Sequence, residues 1–336
     1  MIREAMLYEK LPEDRVRCFV CAHRCKINPG RRGLCGVREN KEGVLYTLVF
    51  GTLIAENIDP IEKKPFFHVY PASRSYSVAT VGCNFRCEFC QNADISQMPS
   101  TMIMIEGQEV DPETLVRRAQ DSGCRTVAYT YTEPTVYLET ALAIAGIAAK
   151  EGLKNVFVTN GYMSTETLDV LNPYLAAANV DLKSFRDEFY MRYCKARLQP
   201  VLDGLQKMKD MGIWMEITTL LIPGLNDSDE ELADIAGFIS GLGKEIPWHI
   251  SRFHPQYKML DRPATPLDTL QRARAIGREA GLSHVYSGNV PGDEGENTYC
   301  PHCSSLLIER YGFRIIKNNL SGPACPSCGR KLAGLF

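Results

Sequence analysis

Three cysteines within one short stretch of the chain have the spacing of a reactive metal centre. They are Cys83, Cys87 and Cys90, with three and then two residues between them. Four thiolates close a structural metal site, whereas three leave one coordination position for an exogenous ligand, as catalytic zinc sites do. An iron–sulfur cube held by only three cysteines likewise keeps one iron open. This cysteine triad therefore predicts a metal centre with an open position.

A structural zinc site is the alternative for the triad, and it would need Cys124 or a histidine as its fourth ligand. Structural zinc sites usually use C-x2-C pairs, and no second pair lies close to the triad. The observed spacing instead suits three sulfur atoms that wrap a cluster from a single loop. Phe89, directly before the third cysteine, is placed to cover a bound cofactor.

Four cysteines near the C-terminus form two C-x2-C pairs, and they are Cys300, Cys303, Cys325 and Cys328. Two such pairs on a segment with short strand-like runs are typical of a zinc ribbon closed by four thiolates. We expect this C-terminal group to be a structural fastener. The alternatives are a docking module for protein or RNA and a rubredoxin-like iron site.

Four more cysteines near the N-terminus have irregular spacing, and they are Cys18, Cys21, Cys25 and Cys35. Four thiolates hold either structural zinc or an auxiliary iron–sulfur cluster. The sequence favours zinc at this N-terminal group, with the cluster as the alternative. Basic residues surround it: Arg15, Arg17, Arg24, Lys26, Arg31, Arg32 and Arg38. They form either a solvated surface or an anion site for a phosphate-bearing substrate or RNA.

The composition is that of a globular protein with no global preference for nucleic acid or membrane. The 336 residues are 45% hydrophobic and 23% charged, and the formal net charge is −2. We expect no membrane span, since no apolar run is long enough to cross a bilayer. The start of the chain lacks the apolar region of a signal peptide. We therefore expect a cytoplasmic protein whose 13 cysteines bind metal rather than form disulfides.

The elements that must position the triad alternate between strand-like and helix-like runs from about residue 75 to 290. The predicted strands are 75–81, 126–130, 155–159, 178–182, 214–221 and 248–254, and the predicted helices are 112–122, 135–150, 165–174, 200–211, 229–242 and 266–280. Such alternation predicts an α/β fold with parallel strands and helical crossovers. We predict a partial (β/α)6 TIM-like barrel, with an open doubly wound sheet as the alternative. In a barrel the triad would lie at the C-terminal ends of the strands, where active sites are built.

The string Cys83-x3-Cys87-x-Phe89-Cys90 resembles the signature of the radical S-adenosylmethionine (radical SAM) enzymes. Its wider context is similar to the activating enzymes of glycyl-radical proteins, such as pyruvate formate-lyase activase. The whole chain best resembles the radical SAM enzymes of the AmmeMemoRadiSam system, and the matching strings are 18–25, 33–38 and 248–255. The resemblance therefore includes the cysteine-rich N-terminal segment as well as the predicted barrel.

This resemblance implies a [4Fe–4S] cluster on the triad and S-adenosylmethionine as its ligand and co-substrate. It implies an oxidoreductase-like enzyme that cleaves S-adenosylmethionine reductively to a 5′-deoxyadenosyl radical, which abstracts hydrogen from an unidentified substrate. The expected partners are a one-electron donor such as flavodoxin or ferredoxin, and proteins of the AmmeMemoRadiSam system. The radical SAM core would span residues 73–296, between a cysteine-rich segment 1–72 and a zinc-ribbon-like segment 297–336. The alternatives are a glycyl-radical activase acting on a partner protein and a non-catalytic metal-binding scaffold.

The resemblance also implies roles for polar residues that follow the second and third strands. Glu133 stands where the family has a Gly-Gly-Glu-Pro motif, although both glycines are replaced, and it would meet the ammonium of the methionyl group. Thr159 and Asn160 would hold the polar end of S-adenosylmethionine. Val158 occupies the position of an aspartate that binds a monovalent cation in the activases, so that cation is not expected here.

Later strands supply the remaining candidates for binding S-adenosylmethionine. By resemblance, Asp181 and Lys183 would bond the ribose or position the substrate, and Asn289 would touch adenine. His249 and His254 lie five residues apart on the sixth predicted strand and so point to opposite faces. We expect His254 to reach the pocket, because it is nearer the C-terminal end of that strand.

Overall fold

An eight-stranded sheet runs through the centre of the computed structural model, which describes residues 1–336. Its strands are β1 (Ala55–Pro60), β2 (Arg74–Ala79), β3 (Cys124–Tyr129), β4 (Lys154–Thr159), β5 (Leu175–Asp181), β6 (Trp214–Leu221), β7 (Trp248–Arg252) and β8 (Val285–Gly288). They lie side by side in chain order. β1 is antiparallel to β2, and every other neighbouring pair is parallel.

The strand order confirms the predicted α/β fold and favours the incomplete barrel over the doubly wound sheet. In a doubly wound sheet the order reverses at a switch point, whereas here each strand is added beside the preceding one. The six predicted strands correspond to β2–β7. The prediction missed β8, which has four residues. It also missed β1, a polar edge strand that ends in proline, because edge strands lack the apolar run of a buried strand.

Six helices connect the parallel strands, and each corresponds to a predicted helix. They are α1 (Pro112–Asp121), α2 (Leu138–Lys150), α3 (Thr165–Leu171), α4 (Gln199–Asp210), α5 (Asp229–Leu242) and α6 (Leu267–Glu279). The side chains of Asp111, Ser164 and Ser228 cap α1, α3 and α5 by accepting hydrogen bonds from backbone N–H groups three residues later.

Shorter helical turns occupy several of the loops. They are Ile61–Lys63, Ala93–Ser96, Met98–Thr101, Pro134–Tyr137, Asp187–Phe189, Tyr190–Cys194 and Glu294–Glu296. No helix of the protein combines the length and the apolar character needed to cross a membrane.

The N-terminal segment packs directly onto the central sheet. Its short strands are Arg3–Glu4, Tyr8–Leu11, Arg15–Cys18, Lys26–Ile27, Arg38–Lys41, Val44–Thr47 and Thr52–Leu53, the last of which pairs with Gln108–Glu109. Val16, Val37 and Leu45 are buried in the same hydrophobic cluster as Val78 of β2. The segment boundary predicted at residue 72 falls between β1 and β2, so the N-terminal segment contributes a strand to the sheet.

The C-terminal segment is an antiparallel sheet of Thr298–Tyr299, Leu306–Tyr311 and Arg314–Asn318. Its own hydrophobic cluster contains five buried residues: Cys300, Leu307, Ile308, Cys325 and Leu332. So small a core needs a further source of stability, such as bound metal. Buried Arg310 also fastens the segment to the body of the protein, since its Nη2 donates to the carbonyl of Phe67 at 3.1 Å.

Candidate active site

The cysteine triad lies on the loop that leaves the C-terminal end of β2. Gly82, directly before Cys83, has a φ of +102°. A Cβ atom at this position would lie 2.7 Å from Cγ1 of Val37 and 3.1 Å from the carbonyl oxygen of Cys35. Glycine therefore allows the loop to pass closely behind the N-terminal segment while it turns into the pocket.

The three triad residues line one pocket at the C-terminal ends of the strands. Cys87 is buried, and Cys83 and Cys90 are half-buried. Their sulfur atoms are not gathered within 4.8 Å of one another, a spacing that suits a cluster better than a single ion. Cys124, the fourth ligand in the zinc alternative, begins β3 and therefore lies at the opposite end of the sheet. The donor set fits a [4Fe–4S] cluster with one open position.

A fourth thiol, which does not belong to any of the three cysteine groups, lies beside the triad. Cys194 is the last residue of a helical turn. Its backbone carbonyl accepts a hydrogen bond from the N–H of Arg86 at 2.9 Å. The neighbouring Cys194 side chain lowers the pKa of Cys87. Hydrogen bonds to ligand sulfur are one determinant of an iron–sulfur reduction potential. The contact joins residues 107 positions apart in sequence, so no local pattern could have indicated it.

Phe89, Asp181 and Lys183 form one side of the pocket next to the triad. The Nζ of Lys183 lies 2.9 Å from Oδ2 of Asp181 and 5.8 Å from the centre of the Phe89 ring. Burial disfavours the charge of Lys183, but the Asp181 carboxylate and the nearby thiolates outweigh it and hold the lysine pKa well above its usual value. A fixed positive charge therefore faces the triad.

Glu133 is a buried carboxylate in the same pocket, with 3% of its surface exposed. Its Oε1 accepts hydrogen bonds from the N–H and hydroxyl of Thr135 and from the hydroxyl of Thr159 at 2.7 Å. Its Oε2 accepts only the N–H of Asn160, at 2.8 Å. Burial raises the pKa of Glu133, while these donors oppose the increase. Oε2 keeps one lone pair for a further donor in the pocket.

The two histidines are placed differently from the prediction. His254 lies beyond the end of β7, is exposed, and is not part of the pocket lining. His249 lines the pocket instead, and its Nε2 lies 2.6 Å from Oε2 of buried Glu216. β7 ends at Arg252, so His254 lies past the strand on which its predicted position near the C-terminal end depended.

Asn289 and Val158 also line this pocket. Asn289 directly follows β8, is exposed to solvent and has a φ of +62°. Its Nδ2 donates to the carbonyl of Arg252 at 3.1 Å. Val158 is half-buried and has no side-chain oxygen for a cation at the aspartate position.

Sequence reasoning missed a charged cluster at the wall of the same pocket. The Nζ of Lys64 lies 2.6 Å from Oδ2 of Asp59, and only 1% of the lysine side chain is exposed. Burial lowers the pKa of Lys64 to about 8, although Asp59 opposes the change. Tyr131 also donates to Asp59. Lys64 follows β1, which was not predicted, so the sequence contained no signal for its position.

The two outer cysteine groups differ in geometry. In the C-terminal group all four sulfur atoms lie within 4.8 Å of one another. Two of the sulfur–sulfur distances are 3.7 Å, for Cys300 and Cys328, and 3.6 Å, for Cys303 and Cys325. The tetrahedron around zinc, with Zn–S distances of about 2.3 Å, requires sulfur separations of about 3.8 Å. This group therefore fits one tetrahedral zinc ion, while the N-terminal group is not gathered in this way.

Comparison with known proteins identifies a family model described as the radical SAM superfamily, which matches residues 77–236. A Methanocaldococcus jannaschii protein described as uncharacterized is 48% identical over 98% of this chain and 99% of its own length. A GTP 3′,8-cyclase of Listeria welshimeri is 25% identical over 69% of this chain and 74% of its own.

Among solved structures, a radical SAM methyltransferase from Sphaerobacter thermophilus superposes with a TM-score of 0.50 and 18% identity. The superposition covers 66% of this chain and 68% of that one. This likeness concerns the fold. The similarity to the Methanocaldococcus jannaschii protein, in contrast, extends beyond the sheet to both cysteine-rich segments.

Proposed function

The chain belongs to the radical SAM superfamily and is an enzyme of S-adenosylmethionine-dependent radical chemistry, and we propose that its reaction takes place at the cysteine triad. One observation carries this proposal. Three sulfurs, Cys83, Cys87 and Cys90, line this pocket, whereas Cys194 lies beside them without lining it and Cys124 lies at the far end of the sheet. This is the donor set of a cluster with an open iron rather than of closed zinc.

When bound, the cluster supplies one electron to the sulfonium of S-adenosylmethionine, which yields methionine and a 5′-deoxyadenosyl radical. The residues of this chain supply binding, orientation and shielding from water. Buried Phe89 covers one side of the triad. The fixed charge of Lys183, held by Asp181 at 2.9 Å, compensates negative charge on the thiolates.

Glu133 is proposed to accept the methionyl ammonium through the free lone pair of Oε2. Thr159 and Asn160 would act by holding this carboxylate in place, since both donate to it at less than 3 Å. At the opposite end, Asn289 borders the pocket after β8 and would contact the adenine. These assignments orient S-adenosylmethionine across the C-terminal ends of the strands.

The substrate is proposed to be a polar molecule. The pocket is lined largely by charged and hydrogen-bonding side chains, among them Lys64, Glu62 and His249. Transferring an apolar chain into such surroundings would leave buried polar groups without partners. A lipid tail is therefore a poor fit, whereas a molecule with both donors and acceptors is a good one.

Activation of a glycyl-radical protein is the second candidate, and it rests on the sequence of residues 83–92. The C-terminal segment argues against it, because Gly312 and Phe313, at the turn of its hairpin, form part of the pocket wall. A protein substrate would have to approach past this hairpin. The C-terminal group itself is proposed to hold zinc and to keep the hairpin in place.

Anaerobic reconstitution tests the proposal. The protein is loaded with iron and sulfide, mixed with S-adenosylmethionine and a strong reductant or reduced flavodoxin, and assayed for 5′-deoxyadenosine. Production is expected in the wild type and in Cys124→Ala, and its loss is expected in Cys87→Ala. No product from a protein with a full complement of iron, or unchanged product from Cys87→Ala, would contradict the proposal.

A further inference from the structure

The four cysteines of the N-terminal group surround a cavity of their own. Cys18, Cys21, Cys25 and Cys35 all line it. Cys18 and Cys35 are buried, and the other two are half-buried. The cavity is separate from the pocket that the triad lines.

The sulfur spacing of this N-terminal group does not fit a single zinc ion. Its cysteines form no set of three or more sulfurs within 4.8 Å of one another, whereas the C-terminal group does. Both groups belong to the same protein, yet their sulfur spacings differ. This wider spacing suits a metal group larger than one ion, and four cysteines are the usual ligands of an iron–sulfur cluster.

Arg38 is an independent observation that points to an anion in the cavity. Its side chain lines the cavity and is 2% exposed. Nη2 pairs with Oε2 of Glu139 at 2.6 Å, but Nε and Nη1 have no hydrogen-bond partner. Buried donors are seldom left without acceptors, and a cluster with four thiolate ligands supplies both sulfur acceptors and negative charge. Arg38 would thus stabilise the reduced and oxidised cluster to different extents.

The cavity lies directly behind the triad loop. Asn84 lines the cavity and follows Cys83 in the chain. The ring Nε2 of His23, another lining residue, lies 2.8 Å from the carbonyl oxygen of Asn84. Arg86 donates to the carbonyl of Cys83 at 3.0 Å and also to the carbonyl of Leu34. The residue that follows Cys83 therefore forms part of the wall of this cavity.

We propose that Cys18, Cys21, Cys25 and Cys35 bind a second iron–sulfur cluster, which passes electrons to the triad cluster through the wall around Asn84. A one-electron donor protein of the flavin or iron–sulfur class is oxidised by one electron and reduces the second cluster. That cluster is reoxidised when it reduces the triad cluster by the same electron. The binding of the second cluster stands on its own geometry, whereas the relay rests on the proposed function.

Metal analysis of the full-length protein tests the binding. The triple variant Cys83→Ala, Cys87→Ala, Cys90→Ala removes the triad cluster and leaves the N-terminal group intact. It is expected to retain about four iron atoms per chain, an equal amount of sulfide and about one zinc, against about eight irons in the wild type. Absence of iron together with about two zinc ions per chain would overturn the proposal. A triple variant that keeps iron while the loaded wild type produces no 5′-deoxyadenosine would refute the proposed function alone.

Arg38 provides a second test that does not depend on metal stoichiometry. In the triple variant background, Arg38→Met removes the buried cation, and the midpoint potential of the remaining cluster is expected to become more negative, with part of the change restored in Arg38→Lys. An unchanged potential would contradict the placement of Arg38 beside the cluster. If Arg38 had a purely structural role, Arg38→Met would lower the stability of the protein without changing the midpoint potential of the cluster.

Electron delivery tests the relay. With Cys18→Ala, Cys35→Ala, the ratio of 5′-deoxyadenosine formed with reduced flavodoxin to that formed with dithionite is expected to fall at least about tenfold, because dithionite is small enough to reach the triad cluster directly. An unchanged ratio would overturn the relay and leave the second cluster with another role.

Discussion

Replacing Glu133 by glutamine should weaken the binding of S-adenosylmethionine without removing the triad cluster. The substitution keeps the size of the side chain and removes its charge. A hydrogen bond to a charged partner contributes about 1.5–3 kcal/mol, so loss of the carboxylate is expected to raise the Kd for S-adenosylmethionine about 10- to 150-fold. The binding contact involves Oε2, because Oε1 already accepts three hydrogen bonds from Thr135 and Thr159.

The same carboxylate predicts a pH dependence with a definite sign. Burial raises the pKa of Glu133 above its ordinary value of 4.5, so the neutral form appears as the pH falls towards that raised pKa. Neutral Glu133 cannot pair with an ammonium group, and the Kd of the wild type should therefore increase with acidification. Glu133→Gln has no charge to lose at this position, so its Kd should lack this component.

Binding is measured by equilibrium dialysis of S-adenosylmethionine with anaerobically reconstituted protein, and iron content is determined for each sample. Thr135→Val is the matched control, since it removes a hydroxyl donor to Oε1 and leaves the charge and Oε2 intact. The control is expected to change the Kd less than about fivefold. A Kd for Glu133→Gln within about twofold of the wild type, or an equal effect of Thr135→Val, would refute the reasoning.

Three further predictions concern stability and metal content. Lys64→Met leaves buried Asp59 without its closest cation and should lower the free energy of unfolding in urea by about 2–4 kcal/mol. The side chain of Lys63 is 43% exposed, so Lys63→Met should lower this free energy by less than about 1 kcal/mol. Equal effects of the two substitutions would contradict the assignment. Gly82→Ala should reduce iron retention and cost about 2 kcal/mol or more, because its Cβ would overlap the N-terminal segment at a positive φ; normal iron content would contradict it. Cys303→Ser should release the zinc and increase hydrogen exchange across residues 297–336, since the segment has so small a core; retained protection would show that the metal is not needed there.

Much of the core could be predicted because its determinants are local. The triad occupies eight consecutive residues, so its spacing alone indicated three ligands on one loop. The strands β2–β7 are short apolar runs between helix patterns, and both periodicities arise within single elements. The predictions of the α/β fold and of the radical SAM superfamily were confirmed for this reason.

Contacts between distant parts of the chain could not be predicted from local sequence patterns. The pairing of Cys194 with Cys87 and the pocket position of Lys64 depend on which loops meet at the sheet edge. The choice between His249 and His254 failed because it depended on where β7 ends, and strand ends are the least certain part of a sequence-based assignment.

The three cysteine groups show most clearly which features depend on the sequence alone and which depend on the tertiary structure. By itself, the sequence determined that the triad has three cysteines and each outer group four, because the number of thiols is set by composition and order. It did not distinguish the two outer groups, and it favoured zinc for both. Only the tertiary structure separated them, since it gathers the C-terminal sulfurs within 4.8 Å and spreads the N-terminal ones around a cavity beside the unpaired donors of Arg38. Sulfur separation is set by how surrounding elements pack, and it is this distance that decides between one metal ion and a cluster.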